Sequence, residues 1–142
     1  MGKRRSSREL SLKFLYQVEF DDEDIEGQID RFIEGNNYQP EVSEYLRELV
    51  TTVRSHMKEI DLLIEKFSQH WTLDRMTLID RNILRLGVCE LLHMSDVPAK
   101  VAINEAVDIA KRYGSEESPD FINGILDKIY KEGRKDLAHP PI

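Results

Sequence analysis

The stretch LIDRNILRLGVCELLHM, residues 78–94, decides the fold. It is strongly apolar, through Ile79, Ile83, Leu84, Leu86, Val88, Leu91 and Leu92, and it reads as the central helix of the second half of the chain. Ser95-Asp96-Val97-Pro98 breaks it. Downstream, Val101, Ile103, Ala106, Val107 and Ala110 mark another helix, stopped at Gly114. Ser118-Pro119 then reads as N-cap and first helical residue of a last helix. Phe121, Ile122, Ile125, Leu126 and Ile129 carry that helix to Gly133. Gly124 inside it costs about 1 kcal/mol against Ala, which points to a close helix approach with Asn123 bonding across it.

Upstream, Trp71–Met76 reads as a short turn or helical corner. Before it, apolar residues at helical spacing run from Val42 to Phe67, too far for one straight helix, so a break is expected near His56–Glu59. Pro40 suits the first turn of that segment. Gly35-Asn36-Asn37 ends an earlier helix faced by Ile25, Ile29, Phe32 and Ile33, and Asp21–Asp24 suits its start. The first helix, from Arg4 or Ser7 to Phe20, has two apolar sectors: Leu10, Phe14 and Val18 on one, Leu12, Leu15, Tyr16 and Phe20 on the other. An ordinary surface helix has one stripe, so this helix is packed on two sides or keeps its second stripe for a partner. No segment shows sustained strand alternation. The expected fold is all-α, six or seven helices in two small bundles fused through a shared core, about 4–56 and 57–133, with a flexible tail over 134–142.

The 142 residues suffice for one domain, and 40% apolar with 33% charged residues is an ordinary globular composition. One cysteine, Cys89, excludes an internal disulfide and suits a reducing, cytoplasmic setting. It lies in the most apolar helix, which favours a buried structural thiol over a nucleophile. No apolar run is long enough to cross a bilayer. Met1–Ser6 fits the loose myristoylation pattern, but an initiator followed by a small residue is the simpler reading. The histidines at 56, 70, 93 and 139 form no metal motif, no Gly-rich phosphate loop is present, and nothing assembles a nucleophile, base and oxyanion donor. Neither an enzyme, a cofactor nor a metal is expected.

One feature breaks the charge pattern. Lys3, Arg4, Arg5 and Arg8 open a chain of net charge −7, so the remainder carries four more negative charges, −11. At helical spacing these side chains make one basic tip on an acidic body. Arginine grips phosphate through a planar fork and stacks on bases, so the tip is a candidate RNA contact; a frayed, solubilising terminus is the plain alternative. A second candidate is the turn at 110–128: Tyr113 and Phe121 flank it as stacking rings, and the helix start offers backbone N–H groups. Both rings can equally be core, and Glu116 and Glu117 oppose phosphate.

DVPAKVAINEAVDIAKRYGSEESPDFINGILDKI (residues 96–129) closely resembles the C-terminal signature of the NusB family of bacterial transcription antitermination factors. RRSSRELSLKFLYQ (4–17) resembles that family's arginine-rich first helix, with Ser6-Ser7 a departure, and WTLDRMTLIDRNILRLGVCEL (71–91) resembles its middle helix. The resemblance implies two helical sub-bundles and no catalysis. It implies binding of boxA-type single-stranded RNA in ribosomal leader transcripts together with the ribosomal protein NusE, and through them contact with other Nus factors and RNA polymerase. By position, Lys3, Arg4, Arg5 and Arg8 fall on the arginine-rich RNA motif. Tyr113 and Phe121 fall on aromatic RNA contacts, with Ser115 and Glu117 in the adjoining loop, and Tyr16 and Asp80 fall on the NusE-binding face. Two other readings are an RNA-recognition domain related to that of rRNA cytosine methyltransferases, and a helical protein adaptor without RNA binding. The first of these needs a Gly-rich cofactor-binding domain, which these residues do not contain.

Overall fold

The computed structural model describes residues 2–69 and 71–133. His70, His139 and the expected tail at 134–142 lie outside them. Seven α-helices follow one another among the described residues: α1 (Gly2–Val18), α2 (Ile25–Glu34), α3 (Pro40–Ser55), α4 (Met57–Ser68), α5 (Leu78–His93), α6 (Ala99–Tyr113) and α7 (Ser118–Lys128). A 3-10 turn at Leu73–Arg75 precedes α5, and a π turn at Ile129–Gly133 extends α7. No strand occurs among the described residues.

Local chemistry sets the ends. Asp24 takes a left-handed conformation, φ 50°, and its carboxylate accepts from the Gly27 N–H. A Cβ at position 27 would lie 2.1 Å from that carboxylate, so only glycine fits beneath the cap. After α2 the left-handed residue is Asn37, φ 52°, and not Gly35. Thr77 caps α5 by accepting from the Asp80 N–H at 3.0 Å. The expected break falls at His56, where α3 gives way to α4. At α7 the expectation needs a correction. Glu117 occupies the cap position without a side-chain hydrogen bond. The Ser118 hydroxyl instead accepts from the Ser115 N–H at 2.9 Å and donates to Asp80 Oδ1 at 2.7 Å.

A single apolar cluster links every α-helix. α5 lies at its centre, touching α1, α3, α4, α6 and α7. Ile83, Leu84, Val88 and Cys89 have no exposed surface, and burial pushes the Cys89 thiol up to about 12. α1 packs on both α3 and α5, with Leu12, Phe14, Leu15 and Val18 buried and Phe14 edge-on to Phe32 of α2, which accounts for its broad apolar surface. Tyr16 on α1 and Phe20 just past its end stay outside, their rings tilted against each other with centroids 5.4 Å apart, and Phe20 is 70% exposed. The close helix approach expected at Gly124 is elsewhere. Gly124 is exposed and a Cβ there would meet nothing within 4 Å, whereas one at Gly87 would lie 2.7 Å from Leu126 on α7. Asn123 is also exposed and bridges no such approach.

Candidate nucleic-acid interface

α1 begins at Gly2, so Lys3, Arg4, Arg5 and Arg8 all lie on regular helix, and each meets a carboxylate from another element. Lys3 pairs with Glu41 at 3.2 Å and Arg4 with Asp96 at 2.7 Å. Both pairs are exposed, and Arg4 also lies over the Tyr45 ring at 4.3 Å. Arg5 grips Glu105 through Nε (3.0 Å) and Nη2 (2.7 Å), and Nη2 also reaches Asp108 at 3.0 Å. Hydrogen bonding to Glu105 raises the Arg5 pKa, and the same bond holds the Glu105 carboxyl below the usual carboxylate range. Among the described residues Arg5 Nη1 has no hydrogen-bond partner, and the side chain is 42% exposed, so the fork is open on one side.

Arg8 is different. Its side chain is only 6% exposed, and Nε donates to both Glu90 oxygens at 2.9 and 2.8 Å. Nη1 reaches Glu105 at 3.4 Å. The Tyr45 hydroxyl donates to the same Glu90 carboxylate. Burial pushes Glu90 up, with Arg8 and Tyr45 pulling against it, and burial beside Glu90 raises Tyr45. The set joins α1, α3, α5 and α6 through two buried carboxylates, Glu90 and Glu105. Arg8, expected among the RNA contacts, is thus held in buried ion pairs, and reaching a phosphate would abandon a buried charge, at a cost of several kcal/mol. Ser7, the departure in the arginine stretch, is buried too and donates to the Val42 carbonyl at 2.9 Å, so a small hydroxyl closes the α1–α3 contact.

The tip continues along α6. One turn after Arg5, Glu9 accepts from Arg112 at 3.2 Å and from the Tyr113 hydroxyl at 3.3 Å. Tyr113 is half-buried, as is Phe121, and both pack against the core by one side. Past Gly114, Ser115, Glu117, Ser118 and Phe121 line a cleft of about 350 Å³ whose other wall is Trp71, Arg75, Met76, Thr77 and Asp80. A Cβ at Gly114 would lie 2.5 Å from the Ser118 hydroxyl, so glycine lets the turn fold onto the serine that holds Asp80. Tyr16 lines no part of this cleft. Glu19, three residues on, grips Arg81 and Asn82, which follow Asp80 on α5.

The sequence residues thus fall along one seam: Lys3, Arg4 and Arg5, then Glu9 with Tyr113, then the cleft with Ser115, Glu117, Phe121 and Asp80. Sequence reasoning missed the acids that clamp the tip and the cleft wall at Trp71 and Arg75. The signal for Glu90 was present, a carboxylate set among Val88, Cys89, Leu91 and Leu92 in the most apolar helix.

The NusB family model matches residues 5–131. The chain belongs to the NusB family. The transcription antitermination protein NusB of Myxococcus xanthus is 48% identical over 133 residues, covering 91% of this chain and 95% of that protein. Among solved structures, T. maritima NusB superposes with a TM-score of 0.83 at 42% identity, covering 91% of each chain. A chain from a crystal structure of the antitermination factors NusB and NusE in complex with dsRNA superposes with a TM-score of 0.82 at 33% identity, covering 92% of this chain and 98% of that one. Among the described residues no helix is long and apolar enough to cross a membrane.

Proposed function

We propose that this NusB-family protein is a non-enzymatic transcription antitermination factor that binds boxA-type single-stranded RNA of rRNA leader transcripts together with NusE, in support of RNA polymerase. The family match carries the class of activity. One geometric observation supports the RNA path: the exposed cations of α1 run through Glu9 into Tyr113 and on to the cleft beside Phe121.

In this reading Lys3, Arg4 and Arg5 meet phosphates. Exposed ion pairs such as Lys3–Glu41 and Arg4–Asp96 are worth at most about 1 kcal/mol, so a phosphate exchanges for the carboxylate at little cost. When Arg5 turns outward, Glu105 keeps Arg8 as a partner. Tyr113 and Phe121 stack on bases, and Ser115 borders the RNA from the turn. Glu117, an acid on that wall, limits affinity and makes a basic partner useful. Arg8 orders the helix that presents the others. Tyr16, with Phe20, and Asp80 form the face for NusE; the ring pair is apolar surface left uncovered on an otherwise packed helix. The Ser118–Asp80 bond ties that face to the RNA turn, so each ligand favours the other's binding.

A titration of boxA-type RNA with and without NusE, at two salt concentrations, tests this. NusE is expected to tighten RNA binding, and Glu117→Gln to tighten it further. RNA binding that is indifferent to NusE and to Glu117 would remove the cleft from the site. Binding of NusE with no RNA binding under any condition would favour the adaptor reading.

A further inference from the structure

We propose that His56, Glu59 and His93 form a binding site for one divalent transition-metal ion of the zinc type. The three come from two places in the chain. His56 is the residue between α3 and α4, Glu59 lies in the first turn of α4, and His93 ends α5. One ligand atom of each lies within 4.8 Å of the other two. Ligands about 2.0–2.1 Å from a tetrahedral ion lie roughly 3.4 Å apart, so closing on a metal takes side-chain shifts of about an ångström. Two imidazoles and one carboxylate with room for water are a donor set that zinc accepts.

Three details show that the group is held in place. His93 Nε2 lies 2.6 Å from Glu59 Oε1, so a proton now bridges two atoms that a metal would bridge instead. His56 Nδ1 lies 3.0 Å from the Thr52 carbonyl. A carbonyl only accepts, so Nδ1–H donates, the outer hydrogen bond that metal-ligating histidines commonly make through the nitrogen that does not bind the ion. The two rings are stacked, with centroids 3.9 Å apart and planes 24° apart, so taking one ion in both ring planes requires a ring to turn out of the stack. Both histidines and Glu59 are half-buried, so an ion and its water can enter while the ligands stay ordered. A site of formal charge −1 on a protein of net charge −7 attracts a dication. A bound ion would pin the α3–α4 joint to the end of α5. It would also steady the following turn, which carries Asp96, the partner of Arg4.

The test uses the full chain, freed of metal by a chelator and titrated with Co²⁺. One equivalent of cobalt is expected to give tetrahedral visible bands, Zn²⁺ to displace it, and Zn²⁺ to raise Tm by several degrees. His56→Gln and His93→Gln should each abolish the bands and the Tm rise. Glu59→Gln, nearly isosteric, should weaken cobalt affinity at least tenfold with the apo Tm little changed, which separates ligand loss from misfolding. Wild-type protein that takes up no cobalt at micromolar concentration overturns the proposal. So does one-to-one binding that survives the histidine substitutions.

Discussion

The two ends of α1 use one chemistry, arginine against carboxylate, at different depths. At the C-terminal end the acid is Glu19, the residue after α1. Glu19 accepts from Arg81 at 3.0 and 2.8 Å, from Asn82 at 2.9 Å and from Arg85 at 3.0 Å. Arg85 turns its other edge to Asp61 at 2.8 and 3.0 Å. Glu19, Arg81 and Arg85 are all under 20% exposed, so the network is enclosed and its cations are committed. At the N-terminal end the cations are on α1 and depth is graded, from Lys3 at 57% exposed to Arg8 at 6%. Residue type alone does not separate a ligand-binding arginine from a structural one. What differs along α1 is how far the cation itself stands in water, 42% for Arg5 against 6% for Arg8, although both reach the buried Glu105.

The contrast can be broken by mutation, and the largest effect belongs to the deepest pair. Arg8→Ala leaves Glu90 buried without its cation and should cost about 3–5 kcal/mol in chemical denaturation. A loss under 1 kcal/mol would mean the pair is wetter than it stands here. Glu19→Ala leaves Arg81 and Arg85 facing each other; about 2 kcal/mol is expected, less than at Arg8 because Glu19 is 15% exposed against 3% for Glu90. Arg4→Ala should cost less than about 1 kcal/mol of stability yet weaken RNA binding, since its pair with Asp96 is exposed.

Acid sharpens the same comparison. At Glu19, burial alone would raise the carboxyl, but Arg81, Asn82 and Arg85 outweigh it and hold it below the usual range. Glu105 is held down chiefly by Arg5, and Asp96 by Arg4. A carboxyl depressed in the folded state adds stability that is present above the unfolded pKa, about 4, and is lost as pH falls through the folded one. Tm should therefore drop steadily below pH 4. The small stability difference between wild type and Arg5→Ala should shrink over that window. A difference that grows on acidification would reverse the assignment.

Much of the fold was legible because helices announce themselves by spacing and by their ends. The apolar run of α5, Pro40, Gly114 and the break at His56 all fell where local chemistry puts them. What escaped was tertiary. Gly124 reads as a contact glycine, yet it faces water, and the real contact is Gly87 against Leu126, a pairing 39 positions away that no local pattern encodes. In the site, the basic tip and the turn at Ser115–Phe121 were readable as unusual residues. The fate of Arg8 was not, because its partners Tyr45, Glu90 and Glu105 come from three other helices. His56 and His93 looked unrelated for the same reason, since only the packing of α5 against the α3–α4 joint stacks their rings.

The most direct test is the salt dependence of RNA binding by the wild-type protein and by Lys3→Ala/Arg4→Ala/Arg5→Ala, each measured with NusE present. Each phosphate released from its counterions contributes about −0.7 to the slope of log K against log salt for a single strand, so three exposed cations should contribute about −2. The triple variant is expected to bind more weakly with a slope shallower by about that amount, while its fold and NusE binding persist. An unchanged affinity and slope would contradict the account, and would leave the opening cations of α1 as surface charge.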